Sequence, residues 1–267
     1  MEFVGYLGAM ATGVSLGLIG GGGSILIVPV LVYLFHVNPA LATAYSLFTV
    51  GAASSIGAFQ YARKGLVDYK TAVIFAVPAF IGVFLARRYL VPSLPEVLLS
   101  VGSFAISKDA FIMLVFAVVM LAAAVAMITK KTQSDDSDQS AAEVNYNYPM
   151  IGLEGLLVGG VTGLVGAGGG FLIIPALVLL ARLPMKLAVG TSLVIIAAKS
   201  LLGFLGDLAA DQQIAWELLT AVTVFAVVGI FFGSYLSKFI PGKKLQPAFG
   251  WFVLVMGVSI MAQQVMS

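Results

Sequence analysis

Gly17-Leu18-Ile19-Gly20-Gly21-Gly22-Gly23-Ser24, continuing to Pro29, is closely copied by Gly163-Leu164-Val165-Gly166-Ala167-Gly168-Gly169-Gly170, continuing to Pro175. Shifting the chain by 146 positions (163 − 17) aligns 17–47 with 163–193, and roughly half of the aligned residues are identical. Both copies lie in apolar runs and both break on near-consecutive glycines. In membrane proteins built from repeats, a duplicated, interrupted apolar segment points to a binding site. The rest of the chain is read outward from these two knots.

The 267 residues are 60% hydrophobic and 10% charged, with mean hydropathy +1.07. A soluble domain carries about 25% charged residues. The long apolar runs predict an all-α polytopic membrane protein. A β-barrel would read as short alternating segments, which are absent. A net charge of +2 gives no basis for a nucleic-acid partner. The chain has no cysteine, which excludes thiol chemistry and cysteine-ligated metals. Its one histidine, His36, excludes a His-rich metal centre. No carboxylate dyad or nucleophile elbow appears, and neither knot is followed by the Lys-Ser/Thr of a phosphate loop. The expectation is therefore no enzyme, no catalytic residues, no metal and no cofactor. The start Met1-Glu2-Phe3 lacks a basic region and is not expected to be a cleaved signal.

Residues 130–148 form the one long hydrophilic stretch, with Asp135, Asp136, Asp138 and Glu143, and read as a solvated linker. It separates a first transmembrane repeat, 1–129, from a second, 149–267. The first repeat predicts helices over 3–19, 24–35, 40–61, 70–90 and 109–129, with a loop-like stretch at 91–108. The second predicts 149–165, 171–181, 186–206, 213–236 and 246–265. Each knot either kinks one spanning helix, giving eight spans, or reverses the chain into a hairpin. Lys and Arg gather in cytoplasmic loops. With kinks, one side holds Arg87, Arg88, Lys108, Arg182, Lys186, Lys238, Lys243 and Lys244, and the other Arg63, Lys64, Lys70, Lys130 and Lys131. With hairpins, Arg87, Arg88 and Lys108 stand alone against the other ten. The hairpin reading obeys the rule better. It gives two inverted repeats, each a Gly-broken hairpin plus three helices, with the linker in the cytoplasm.

Backbone leaves helical geometry at membrane depth only where it is buried in protein or lines a cavity. Glycine permits positive φ and close approach. A new helix starts near Ser24 and near Gly170, and a helix start favours an anion. In an inverted pair the two knots would face each other near the midplane and hold one small anion. The candidate substrate-binding residues are Gly20, Gly22, Gly23, Ser24, Gly166, Gly168, Gly169 and Gly170. The repeated element Ala42 to Leu47 and Ala188 to Leu193 adds the hydroxyls of Ser46, Thr191 and Ser192, which can contact substrate or bond back to the helix. Lys199 is ionisable inside an apolar run, two turns after Ser192, and adds positive charge. Outer pairs such as Gly13 with Gly17 and Gly159 with Gly163 read as helix packing.

At these residues the chain resembles the sulfite exporter TauE/SafE family of bacterial membrane permeases. The likeness rests on both knots, on Ala188-Val189-Gly190-Thr191-Ser192-Leu193, and on Arg63-Lys64-Gly65 with Asp68. Tyr45 in place of a threonine and Ser24 in place of a glycine depart from the second copy. The resemblance implies a multi-pass protein of the bacterial cytoplasmic membrane that exports sulfite, an organosulfonate or a related small sulfur-containing anion. Membrane lipid is the expected surround, and protons are a candidate coupling ion. Alternating access around the two breaks is the leading mechanism, and an anion channel is the alternative.

Overall fold

The protein is described by a computed structural model covering residues 2–37, 39–90, 93–95, 97–101, 104–129, 148–165, 170–208 and 214–266. The linker residues 130–147 and the glycines at 166–169 lie outside that description. The chain before the linker contains α1 (Glu2–Ile19), a 3₁₀ turn (Gly21–Gly23), α2 (Ser24–Pro29), α3 (Pro39–Arg63) and α4 (Tyr69–Leu85). A π-turn extends α2 over Val30–Leu34, and another extends α4 over Ala86–Leu90. α5 spans Lys108–Thr129. The chain after the linker contains α6 (Tyr148–Val165), α7 (Gly170–Pro175) with its π-turn Ala176–Leu180, α8 (Met185–Leu208), α9 (Trp216–Leu236) and α10 (Gly242–Met266). The fold is that of an all-α polytopic membrane protein. The loop expected over 91–108 contains a short antiparallel hairpin, β1 (Val97–Val101) with β2 (Phe104–Ser107). Val97, Val101, Phe104 and Ile106 are strand formers, and the flanking prolines and serines concealed them.

The first knot reverses the chain. Gly5 of α1 faces the Phe35 ring, Gly8 faces Val30 and Leu34, and Gly23 backs onto Thr12 and Leu16. Residues early in α1 thus meet residues late in the return arm, as in an antiparallel hairpin. Gly20 makes the reversal with φ 73° and ψ −131°, outside the left-handed helical region and in backbone space that L side chains rarely adopt. α7 and its π-turn likewise pack against α6.

The long helices pair in a pattern that survives exchange of each α(n) with α(n+5). α1 packs on α9 and α6 on α4, both parallel. Gly13 meets Ala226 and Gly17 meets Ile230, while Gly155 meets Phe75 and Gly159 meets Ala79. Without a hydrophobic drive between helices in lipid, small residues that let backbones approach supply the contact. α3 crosses α8 antiparallel, with Gly51 on Leu201, Gly57 on Leu193 and Gly203 on Leu47. α5 and α10 are antiparallel too: Gly250 meets Ile128 and Gly257 meets Leu121. The correspondence reaches the backbone of the return arms. His36 and Arg182, 146 positions apart, both adopt φ near +55°. Val37 N–H bonds Leu31 C=O just as Leu183 N–H bonds Leu177 C=O.

α3 and α8 are the central pair, 56% and 61% buried over their spanning windows, against 33% for α4 and 39% for α9. The outer faces of α4 and α9 expose Val73, Val77, Ile81 and Phe84, and Val224, Val228, Phe231 and Tyr235. Such stripes at helical spacing would aggregate in water and form the lipid-facing surface in a bilayer.

One end of the bundle is basic. Lys186 and Lys238 lie close enough for their charges to act on Lys64. Arg87 and Arg88 follow α4, whose 17 residues carry them about 25 Å away. A kinked eight-span chain would set Lys186 and Lys238 opposite Lys64. The loop between α3 and α4 touches the first turns of α8: Asp68 N–H donates to Thr191 Oγ1 at 3.0 Å, and Gly190 abuts the Leu66 carbonyl. Because the chain has no native cysteine, single cysteines report topology cleanly. Leu66→Cys and Pro184→Cys are expected to react with an impermeant maleimide from one face of oriented vesicles, and Ile214→Cys from the other. Labelling of positions 66 and 184 from opposite faces would rule out the hairpin.

Candidate functional site

The two breaks meet in the interior. Gly20, Gly21, Gly23 and Gly170 are all buried. A methyl on Gly21 would run into the Gly170 carbonyl and come 2.8 Å from Ile196 Cδ1. A methyl on Gly170 would lie 2.9 Å from Ser24 Oγ and 3.1 Å from the Gly21 carbonyl. Positions 24 and 170 are equivalents in the repeat, and they touch each other. Gly20 faces α8, where its missing side chain leaves room for Ser192 Oγ, 2.7 Å from where a Cβ would stand.

Local sequence explains how each group is presented. α1 ends at Ile19, with Gly20 N–H bonded to Leu16 C=O. The first bond inside the 3₁₀ turn runs from Gly23 N–H to Gly20 C=O at 3.4 Å. The Gly21 and Gly22 N–H groups therefore have no partner inside the turn, as at any helix start. Ser24 opens α2, and its hydroxyl donates to Gly21 C=O at 2.7 Å. Pro29 and Pro175 each hand an α-turn on to a π-turn, which re-forms the ladder that proline interrupts. Below the knot, Tyr61 OH donates to Gly17 C=O at 3.0 Å and lies 3.0 Å from Ser237 Oγ. This ties the end of α1 to α3 and α9.

The structure thus brings together Gly20, Ser24, Gly170 and Ser192, with Gly22 in the same turn. Gly21 and Ile196, not among the expected contact residues, stand at the centre of the meeting. Gly166, Gly168 and Gly169 lie outside the described residues. Gly23 serves packing against α1. Ser192 Oγ donates to Val189 C=O at 2.8 Å, and its counterpart Ser46 donates to Thr43 C=O at 2.7 Å. Both hydroxyls keep acceptor lone pairs.

Thr191 departs from the substrate-contact reading. Its hydroxyl accepts the Asp68 N–H, just before α4. Tyr45, the equivalent residue, accepts the Ala215 N–H at 2.6 Å, just before α9. A threonine and a tyrosine thus do one job, holding the start of an outer helix against a central one. Asp68 completes that start as N-cap, accepting from Thr71 N at 3.0 Å and from Thr71 Oγ1 at 2.8 Å.

Lys199 sits one layer away from the knots. Its Nζ bonds Thr162 Oγ1 at 3.1 Å, beside a cavity of about 10 Å³ lined by Phe75, Ala79, Ile173 and Ile195. The chain neighbours of the last two, Ile174 and Ile196, touch Gly20 and Gly21. Among the described residues no cluster of His, Cys, Asp and Glu could hold a metal.

The family described as "Sulfite exporter TauE/SafE" matches residues 6–260. A probable membrane transporter protein of Xylella fastidiosa (strain 9a5c) is 29% identical over 251 residues, covering 93% of this chain and 90% of its own. The probable membrane transporter protein YunE of Bacillus subtilis is 29% identical over 248 residues, covering 86% and 84%. A probable membrane transporter protein of Methanocaldococcus jannaschii is 26% identical over 201 residues, covering 73% and 68%. No solved structure matches the chain.

The knot contact makes a stability prediction. Gly21→Ala must separate the two breaks and is expected to destabilise by about 1–3 kcal/mol, as overpacking does. Gly160→Ala on α6 has open space and a helical backbone. It is expected to be neutral or to stabilise by up to about 1 kcal/mol. Unfolding midpoints in detergent check both, and equal midpoints for the two variants would contradict the close contact.

Proposed function

The chain belongs to the sulfite exporter TauE/SafE family and is a membrane transporter, not an enzyme; from that premise we propose that it exports a small sulfur-containing anion, sulfite or an organosulfonate. The observation that carries this reading is the meeting of the two glycine breaks, Gly20–Ser24 against Gly170, buried between the halves of the chain. A small oxyanion needs donors that are fixed, close and not fully neutralised by other partners. The first break offers turn N–H groups with no side chain in the way, and the Ser24 and Ser192 hydroxyls beside them would turn from the Gly21 and Val189 carbonyls to donate to the anion. Lys199 adds positive potential from one layer out.

Transport proceeds by alternating access, with the two halves acting as inverted repeats. The helix pairings that survive exchange of the repeats, and the antiparallel sense of α3 with α8 and α5 with α10, support that relation. The knots form the closed constriction between the two open states. Substrate binds where Gly21 and Gly170 part, and one half rocks against the other. Proton coupling would supply the energy.

Two experiments test this. In proteoliposomes, sulfite flux should saturate, be competed by taurine or sulfate, and respond to an imposed pH gradient. Absence of flux for every sulfur anion would reject the substrate class. The second concerns motion. Ser24 Oγ lies 2.9 Å from a Cβ position on Gly170, a separation that suits a disulfide. The pair Ser24→Cys with Gly170→Cys should cross-link under mild oxidant, stop flux, and recover with reductant. Undiminished flux in fully cross-linked protein would refute alternating access at the knots.

A further inference from the structure

The basic end of the bundle holds a second cavity, separate from the knots. It measures about 330 Å³ and lies between the C-terminal ends of α3 and α9, lined by Gln60, Arg63, Lys64, Ser234, Tyr235 and Lys238. Its polar groups are nearly all donors. Arg63 is held over the Phe59 ring at 4.4 Å, and Lys238 is set 5.5 Å from the Tyr235 ring. Lys64 Nζ donates to the Ser234 carbonyl at 3.2 Å. None of the three cations has an acidic partner among the described residues, and the nearest acid in sequence, Asp68, is engaged in capping α4. Lys64, in the turn after α3, is held below the ordinary lysine range, first by burial and then by the charges of Lys238 and Lys186.

Gln60 supplies an independent indication. Its carbonyl oxygen accepts from Ser234 Oγ, which fixes the amide at the wall of the cleft. Its Nε2 is buried and has no hydrogen-bond partner. A buried donor without an acceptor costs about 1–3 kcal/mol. Three cations without an acidic partner and an amide N–H group without an acceptor, all at one cavity, lack a single component, a group that accepts hydrogen bonds and carries negative charge. Such a group would offset the lysine repulsion and satisfy the amide together.

We infer that the cleft between α3 and α9 is an oxyanion site, taking either the phosphate headgroup of an anionic lipid or a free sulfur oxyanion. Both sources offer the same recognisable chemistry, a compact anion with several acceptor oxygens. Phe231 and Tyr235, 53% and 55% exposed on the outer face of α9, border the cleft and open it toward lipid. Tyr61, one residue from Gln60, reaches from this end to Gly17, three residues before the first knot. The site is thus placed to serve either as a lipid anchor or as a collecting point for the anion. It does not depend on the knots being the transport site, because binding can be measured without flux.

The test uses the delipidated full-length protein in nonionic detergent at low ionic strength, titrated by calorimetry with sodium sulfate and, separately, with phosphatidylglycerol against phosphatidylcholine. One or both anionic probes are expected to bind, with added salt weakening the interaction. The double variant Arg63→Gln with Lys238→Gln, changing two exposed side chains, should weaken binding by about tenfold. Gln60→Glu should weaken it too, by placing a carboxylate against the anion. Lys70→Gln, on the first turn of α4 at the same end, should leave it unchanged. Binding of phosphatidylglycerol but not sulfate assigns the cleft to lipid, and binding of sulfate assigns it to a soluble anion. Failure of both probes to bind, or affinity unchanged in both cleft variants, would overturn the proposal.

Discussion

A bilayer offers backbone groups no water, so a helix broken at membrane depth must find its partners in protein. The chain satisfies this constraint by placing one break against the other. Gly21 can leave helical geometry because Gly170 covers it. Gly170, the first residue of α7, is in turn covered by Ser24 and Gly21. Neither knot would be tolerated alone facing lipid. The central pair α3 and α8 then closes the sides, with Ser192 against Gly20 and Ile196 sealing the meeting point.

The packing around this centre follows from a second physical fact. Lipid tails are as apolar as leucine, so helices gain little from mutual burial and must gain from close fit. α1 on α9 and α4 on α6 use glycines for that fit, and both helices of each pair run in one direction. The large apolar side chains are released to the outer faces, where they meet lipid. The arrangement fixes the knots between two glycine-seamed pairs, each of which joins a helix from one half of the chain to a helix from the other.

Polar contacts in the interior fall into two kinds. Some hold helices in place: Thr191 to Asp68, Tyr45 to Ala215, Thr49 to Thr223, and Gln246 to the Met127 carbonyl. Others surround a space, as at the basic cleft. The difference lies in what remains unpaired. Thr191 is matched by a specific backbone donor, whereas the Gln60 Nε2 group has no acceptor and the neighbouring cations have no acidic partner among the described residues.

Much was legible in the residues themselves. Apolar run lengths located the helices to within a few residues, because hydrocarbon thickness fixes how long a span must be. The duplicated glycines located both breaks, and the unequal distribution of Lys and Arg favoured hairpins over kinks. Gly13, Gly17 and Gly159 read as packing and are packing. Three things were decided only by tertiary structure. The role of Thr191 depended on a donor 123 residues away. Lys199, which shares a helix face with Ser192, has a side chain long enough to reach Thr162 instead of the knot. The basic cleft joins Gln60 and Lys64 to Ser234 and Lys238, residues about 170 positions apart that no local pattern relates. Sequence periodicity records which face of a helix is apolar. It does not record which other helix that face meets, and that meeting decides whether a polar group is a clamp or a site.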